Sequence, residues 1–466
     1  MNNTKFRSKI GAILVVGGGI AGIQASLDLA ESGFKVYLLE KSPAIGGKMS
    51  QLDKTFPTND CAICILSPKL VEAGRHNNIQ IISYAEIEKL EGDAGNFTVT
   101  IKKHPRYIDE SKCTGCGLCS TWCPMETVSE YDEKLRNRNS IYIKYPQAIP
   151  KLPTIDRIIC IGCRLCESVC EANAIDFAQK EELIDLNVGA IILAQGSAIY
   201  DPVALSQYGY NRFSNVITSS EFERVLSASG PFAGHVIRPS DGKVPHTIAW
   251  IQCVGSRNRK IGNNYCSAVC CMYALKEAII AKEHEPYLNC YIFFIDIRVT
   301  GKGFEEYLIR AREEYEVKFN NARISLVEED PITKEIILYY EDKLSGESKK
   351  ERFDLVVLST GYQPSKDNIE LCQKLGIQLN KFHFSASSLF TPLETNIPGI
   401  YACGTFSGPK DIPETVAEAS AAAAEASVLL ASERNKLTTK KSYPPEIQVR
   451  GEEPRIGVFI CHCGIN

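Results

Sequence analysis

Nineteen cysteines stand in this 466-residue chain, and twelve of them fall into three groups with the spacing of metal ligands. Cys113-x2-Cys116-x2-Cys119-x3-Cys123-Pro124 is repeated 47 residues later as Cys160-x2-Cys163-x2-Cys166-x3-Cys170. Cysteines two residues apart let a tight loop wrap three corners of an iron–sulfur cube. The fourth, set off by three residues, reaches the cube of the other run. Two matching runs argue for two four-iron clusters and against a zinc site. Glu171 replaces proline after the second run, which leaves the ligand count unchanged. The third group is Cys253-x12-Cys266-x3-Cys270-Cys271, in "QCVGSRNRKIGNNYCSAVCCMYALKEA" (252–278). Adjacent cysteines rarely bond to each other. Spacing alone leaves a four-iron cluster, buried free thiols and a redox disulfide all open for this group.

The elements around these groups read as α/β. Residues 10–16, "IGAILVV", form a buried strand, followed by Gly17-Gly18-Gly19-Ile20-Ala21-Gly22 opening a helix and by a strand "KVYLLE" ending in Glu40. Here glycines admit a pyrophosphate, the helix N-terminus favours its charge, and an acid holds ribose hydroxyls. Gly17, Gly19, Gly22 and Glu40 are therefore cofactor-binding candidates, with Lys41 and Gly47 of "KSPAIGGKM" beside them. The unit resembles FAD-binding oxidoreductases more than NAD dehydrogenases. "VGAIILAQGS" (188–197) and "RFDLVVLSTGYQP" (352–364) are further strands running into Gly196 and Gly361. "NIPGIYACGTFSGPKDIPETVAEASAAAAEASVLLA" (396–431) gives a strand, a loop with Gly404, and an alanine-rich helix. In disulfide-reductase-type flavoproteins similar segments close the FAD site, with the helix N-terminus aimed at the flavin. The acidic residue usual after that glycine is Thr405 here.

The expected architecture is a thioredoxin-reductase-like, Rossmann-type two-domain fold with an inserted α+β two-cluster ferredoxin domain. The FAD-binding domain takes 10–103, 183–242 and 356–432, and the insert takes 104–182. Within the insert, 124–159 reads as a surface hairpin and loop. Residues 243–355 form a region like an NAD(P) domain, in which "HTIAWI" (246–251) is the first strand. No G-x-G-x-x-G follows it; Cys253 does, and "SAVCCMYALKEAIIAKE" is the helix. Strand end and helix start meet in such a unit, so the four sulfurs can converge. Residues 433–454 are a linker, and 455–466 begin a further module.

These features together look like the A subunits of heterodisulfide reductase, a family matched in style by "CVGSR…YCSAVCCMYALKEA", "DIRVTGKGFEEYLIRAREEYEVKF" and "GPKDIPETVAEASAAAA" over roughly residues 10–466. The resemblance implies that Cys253, Cys266, Cys270 and Cys271 hold a third four-iron cluster. It also implies electron bifurcation. Electrons would come from a hydrogenase or dehydrogenase partner and be split at FAD between ferredoxin and partner subunits that reduce the disulfide of coenzymes M and B. Lys276, just past the cysteines on the same helix, is either a solvated lysine or a group that hydrogen-bonds the flavin and sets its potentials. One rival is an NAD(P)H-dependent flavin reductase resembling the small subunit of glutamate synthase. Another is a wiring scaffold without flavin chemistry.

A net charge of −4 gives no reason to expect nucleic acid or an anionic membrane as partner. No stretch approaches the roughly 20 apolar residues of a membrane span. The N-terminal apolar run is broken by glycines and followed by Asp28 and Glu31, unlike a signal peptide. So many cysteines without a signal point to the cytoplasm and to iron, and the resemblance implies a multi-subunit complex. Cys61 and Cys64 in "PTNDCAICILSPK" form a C-x-x-C, either a dithiol or an inert pair. The chain ends on "RIGVFICHCGIN", as if a fragment or one module of a fused protein, and Cys61, Cys64, Cys461 and Cys463 together are candidates for a fourth cluster. Cys290, Cys372 and Cys403 read as structural.

Overall fold

The computed structural model describes residues 8–343, 345–440 and 442–459. Two parallel sheets organise it. The first runs, in order, Ile400–Ala402, Ala190–Leu193, β1 (Ala12–Val16), β2 (Lys35–Glu40) and β3 (Ile79–Ser83), all parallel. Every residue of β1 is buried, as a strand covered on both faces requires, and its sequence AILVV is accordingly apolar throughout. One face is covered by α1 (Ile20–Glu31) packed on the helix Ile412–Leu429. The alanines 419, 422, 423 and 426 of that helix are buried and allow the close approach. The other face packs on a three-stranded antiparallel sheet, Glu182–Val188, Asn96–Lys103 and Ala85–Asp93, through a shared core that includes Leu14, Phe97, Val99 and Val188.

The second sheet has seven strands: Val216–Thr218, Leu355–Thr360, Thr247–Val254, Asn289–Phe294, Lys318–Glu329, Ile336–Asp342 and Ser348–Phe353. The first five pair in parallel and the last two antiparallel. Its membership departs from the expected boundaries at two places. Val216–Thr218, expected within 183–242, and Leu355–Thr360, expected chiefly within 356–432, both join this sheet and not the first. Both strands are wholly buried and mostly apolar, and such a run carries no mark of which parallel sheet it enters.

The cysteine-rich insert leaves the strand Asn96–Lys103 and returns on Glu182–Val188. These two are antiparallel neighbours, with Lys103 opposite Glu182. The ends of the insert are therefore adjacent, the geometry that lets one domain interrupt another. Its 124–159 segment forms the expected hairpin, Glu126–Val128 with Asn137–Asn139 on partly exposed strands, but the turn between them docks on the rest of the chain. Tyr131 stacks on Tyr145 at 5.1 Å between centroids and donates to the Ser50 carbonyl. Asp132 and Arg224, both almost wholly buried, pair at 2.9 Å. Among the described residues no helix is long and apolar enough to cross a membrane.

Candidate cofactor sites

Where β1 meets α1 the backbone turns through Gly17, at φ +106, and α1 starts on Gly19 with no side-chain cap. Its first N–H groups are left for an anion. A Cβ on Gly22 would lie 1.8 Å from the Gly17 carbonyl oxygen, so the helix can approach the strand only with glycine there. The Glu40 carboxylate fastens the turn by accepting from Gly18 N at 2.6 Å and Ser42 N at 2.8 Å.

This turn opens on a cavity of about 510 Å³, a size ordinary for small-molecule sites. Gly17, Gly19, Glu40, Gly47, Gly196 and Thr405 line it, as does the first turn of the helix Ile412–Leu429 through Asp411, Ile412 and Thr415. Four other candidates do not line it. Gly22 acts from beneath, through helix packing. Lys41 points outward to an ion pair with Asp367 at 2.8 Å. Gly361 follows a strand of the second sheet, where a Cβ would meet Ser267 Oγ at 2.2 Å. Gly404 instead donates its N–H to Glu418 at 2.9 Å.

The insert supplies walls that local pattern does not reveal. Glu130, Tyr131 and Lys144 line the cavity. Lys144 donates to Ser42 Oγ at 2.6 Å and faces Glu40; burial lowers its pKa and Glu40 opposes that shift. The available signal was tyrosine and isoleucine recurring in "YDEKLRNRNSIYIKYPQ", too apolar for a free loop. Glycine cradle, open helix end and acid thus fit a dinucleotide such as FAD.

In the insert, each cysteine run bends through left-handed residues at equivalent places, Gly115 and Gly117 in one, Gly162 and Arg164 in the other. Short helices Leu118–Thr121 and Leu165–Ser168 follow. Cys123 shares a small cavity with Cys160, Cys163 and Cys166. Reciprocally, Cys170 lies near enough to Cys113 to act on its charge. The fourth cysteine of each run therefore sits with the other three. Burial pushes Cys119 up to about 12 and Cys166 up to about 11. Bound iron would reverse that, because a coordinated thiol is deprotonated outright. Among the described residues no three such side chains are close enough to hold one bare ion.

The third group also converges. Cys253, Cys266, Cys270 and Cys271 ring one small cavity together with Arg257, Asp296 and Arg298. The strand Thr247–Val254 shifts register between Ile251 and Val254, and Cys253 takes φ +61. The helix Cys270–His284 begins on Val269 without a side-chain cap. Its first two residues are thus cysteines at a terminus that favours negative charge. Arg298 N lies 3.4 Å from Cys271 Sγ and Ala268 N 3.4 Å from Cys266 Sγ. Lys276 is buried one turn further along, lines the large cavity, and is ion-paired with Glu223. It is not a solvated lysine.

Cys61 and Cys64 are joined in a disulfide at the start of α2 (Ala62–Arg75), so neither is a thiolate ligand here. Cys461 and Cys463 lie outside the described residues. Cys290, Cys372 and Cys403 are buried in apolar surroundings.

Residues 12–62 match the family of FAD dependent oxidoreductases and residues 112–175 the 4Fe-4S dicluster domain. Residues 166–424, more than half of the chain, match the pyridine nucleotide-disulphide oxidoreductases. The iron-sulfur A subunit of the CoB--CoM heterodisulfide reductase of Methanocaldococcus jannaschii is 50% identical over 420 residues, 90% of this chain and 64% of that protein. A protein of Archaeoglobus profundus that is itself described as like the heterodisulfide reductase A subunit is 41% identical over 472 residues, 91% of this chain and 67% of its own length. The chain belongs to the family of heterodisulfide reductase A subunits. It spans just under two thirds of the M. jannaschii relative. Thioredoxin reductase from Lactococcus lactis shares the fold, with a TM-score of 0.50, 15% identity, and 90% and 99% of the two chains covered. In this family member the thioredoxin-reductase-like frame carries FAD-binding oxidoreductase domains and a dicluster insert, as its glycine and cysteine patterns imply.

Proposed function

We propose that this chain is the FAD- and iron–sulfur-containing electron-transfer subunit of a heterodisulfide reductase-type complex in the cytoplasm, and that it bifurcates electrons. One observation carries this: the cavity and the third cysteine group share one helix start. Val269, Tyr273 and Lys276 face the cavity, while Cys270 and Cys271 face the small cysteine-lined space. Two redox sites placed within about one helical turn, roughly 5 Å of rise, are wired for direct transfer.

Bound FAD would supply a centre able to exchange electrons singly or in pairs. The glycine turn and α1 hold its diphosphate, Glu40 and Lys144 flank the ribose region, and Tyr131 closes the wall from the insert. Lys276, buried and paired, offers a fixed cation whose hydrogen bonds set the one-electron potentials. Cys253, Cys266, Cys270 and Cys271 hold a third cluster beside the two of the insert. Electrons from a hydrogenase or dehydrogenase partner then leave by two branches, one toward ferredoxin and one toward subunits that reduce the CoB–CoM disulfide.

The nucleotide-type second sheet favours one other assignment, an NAD(P)H-dependent reductase. Against it, the helix start where a dinucleotide would dock is occupied by Cys270 and Cys271. The test is the anaerobically purified full chain. Expected are about one FAD and, after reconstitution, about twelve irons per chain from three cubes, with flavin bands that NADH and NADPH leave unchanged. Rapid bleaching by either nicotinamide would move the protein to the reductase class, and a chain that takes up no FAD would sink the proposal.

A further inference from the structure

Behind the cavity wall lies a charge group larger than one ion pair. Glu277 follows Lys276 on the helix Cys270–His284 and is wholly buried. Trp250 Nε1 donates to its Oε2 at 2.8 Å, while Oε1 is buried with no hydrogen-bond partner. Glu223, on the helix Ser219–Leu226, is buried beside it, pairs with Lys276 and accepts from Asp53 N at 3.0 Å. The groups facing Glu277 are Glu223 from that helix, Lys276 and Tyr273 from its own, and Trp250 from the strand below. Behind Glu223 stand Asp53 and Arg224, the latter committed to Asp132.

Glu223 and Glu277 thus share one near ammonium, with Glu277 wholly buried and Glu223 buried at the cavity's edge. Two carboxylates cannot both stay ionised cheaply there, and one is expected to keep a proton. Of the two, Glu223 holds the ion pair, whereas Glu277 has the unpaired oxygen. Burial first, and then the charge of Glu223, push Glu277 well above the usual carboxylate range.

We propose that Glu277 is a neutral acid in the resting protein and the proton store for Lys276. This rests on the assignment of FAD to the cavity. When the Lys276 ammonium gives a proton to an acceptor in the cavity, Glu277 passes its acid proton to the Glu223 carboxylate, and Glu223 passes one on to the Lys276 amine. One O–H bond breaks at Glu277 and one bond to hydrogen forms in the cavity. The three side chains exchange no electrons. A carboxylate remains at Glu277, where the Trp250 N–H is already placed to stabilise it.

Infrared spectroscopy of the full chain tests this directly. At pH 8, where Asp53, pushed up to about 6, is ionised, the resting protein should show a carboxylic-acid C=O band that moves in D2O. Glu277→Gln, which keeps the shape but has no acid proton, should lack it. Trp250→Phe should shift the band without abolishing it, which covers the case of a Glu277→Gln chain that fails to fold. Photoreduction of the bound flavin should remove the band in the wild type and leave it in place in Lys276→Met. No band at pH 8, a band kept in Glu277→Gln, one unmoved in Trp250→Phe, or one untouched by photoreduction in the wild type would each overturn the proposal. The resting band needs no flavin, so a chain without FAD would refute the cofactor assignment while still deciding whether Glu277 is protonated.

Discussion

The chain contains two strand–loop–helix units of the same design put to opposite uses. In the first, β1 lies between two parallel neighbours and leads through residues 17–19 into α1. In the second, the strand Thr247–Val254 also lies between two parallel neighbours and leads through residues 255–269 into the helix Cys270–His284. Both helices start without a side-chain cap, so both present unpaired N–H groups and the positive end of the dipole. In the first unit a three-glycine turn keeps that end open for a diphosphate. In the second a longer loop and a distorted strand end fill it with four thiols. A helix N-terminus favours negative charge whichever group supplies it. One topology can therefore present its helix end to an anion or fill it with clustered thiols, depending on whether the loop is short and side-chain-free or long and cysteine-bearing.

The comparison breaks most visibly at the cysteines. Cys270→Ser should remove a ligand from the second unit alone, and reconstituted iron should fall from about twelve to about eight per chain, with FAD retained. Cys119→Ser should cost a similar amount from the insert and leave the third site's spectrum intact. Elemental analysis with electron paramagnetic resonance reads both. Full iron in Cys270→Ser would mean that the second unit holds thiols and no cluster.

The difference between the units also explains what was legible. The glycine turn and the insert's runs are local: ligand spacing of two and three residues states its chemistry without the fold. The third group spans a whole strand–loop–helix unit, and its convergence follows only if the sheet is assumed. Contacts made by docking were barely legible. Tyr131 and Lys144 reach the cavity because the insert folds back on the body, and the tyrosines and isoleucines recurring around them mark a packed segment without naming what it packs against. Lys276 and Glu277 did leave a trace. They interrupt "CCMYALKEAIIA", a helical stretch apolar on every face, and such a helix is buried. A polar group inside it needs a partner: that of Lys276, Glu223, lies on a helix some fifty residues away in the chain, and that of Glu277, Trp250, on the adjoining strand.

The same docking offers the next test. Arg224→Leu should leave the carboxylate of Asp132 buried, with Arg136 at 2.6 Å as its remaining guanidinium partner. Loss of one partner from a buried pair costs about 3–5 kcal/mol, here toward the lower end because Arg136 stays. Chemical denaturation should show that loss, and FAD should dissociate more readily as Tyr131, over which the Arg224 guanidinium lies at 4.9 Å, loses its support. A variant of unchanged stability and FAD affinity would make the insert a passenger on the flavin site.

The smallest effect comes from Asp53, on the loop that precedes α2. Burial, and then the charge of Glu223, raise its carboxyl from 3.8 to about 6, against the opposing pull of Lys276, Lys54 and Arg224. A carboxyl whose folded pKa lies above its unfolded value favours folding while protonated. That contribution is fully present below about pH 4 and is lost as pH rises through 6. Between pH 5 and pH 8 the wild type should therefore lose about 1–2 kcal/mol that Asp53→Asn does not lose. Urea midpoints of the two proteins should lie closest in acid and separate toward pH 8, with the variant the more resistant there. If Asp53 had instead been held low by the nearby cations, the order would reverse and the variant would fall behind as pH rises. The sign of the separation thus reports whether the acids or the bases dominate the wall between the dinucleotide turn and the cysteine helix.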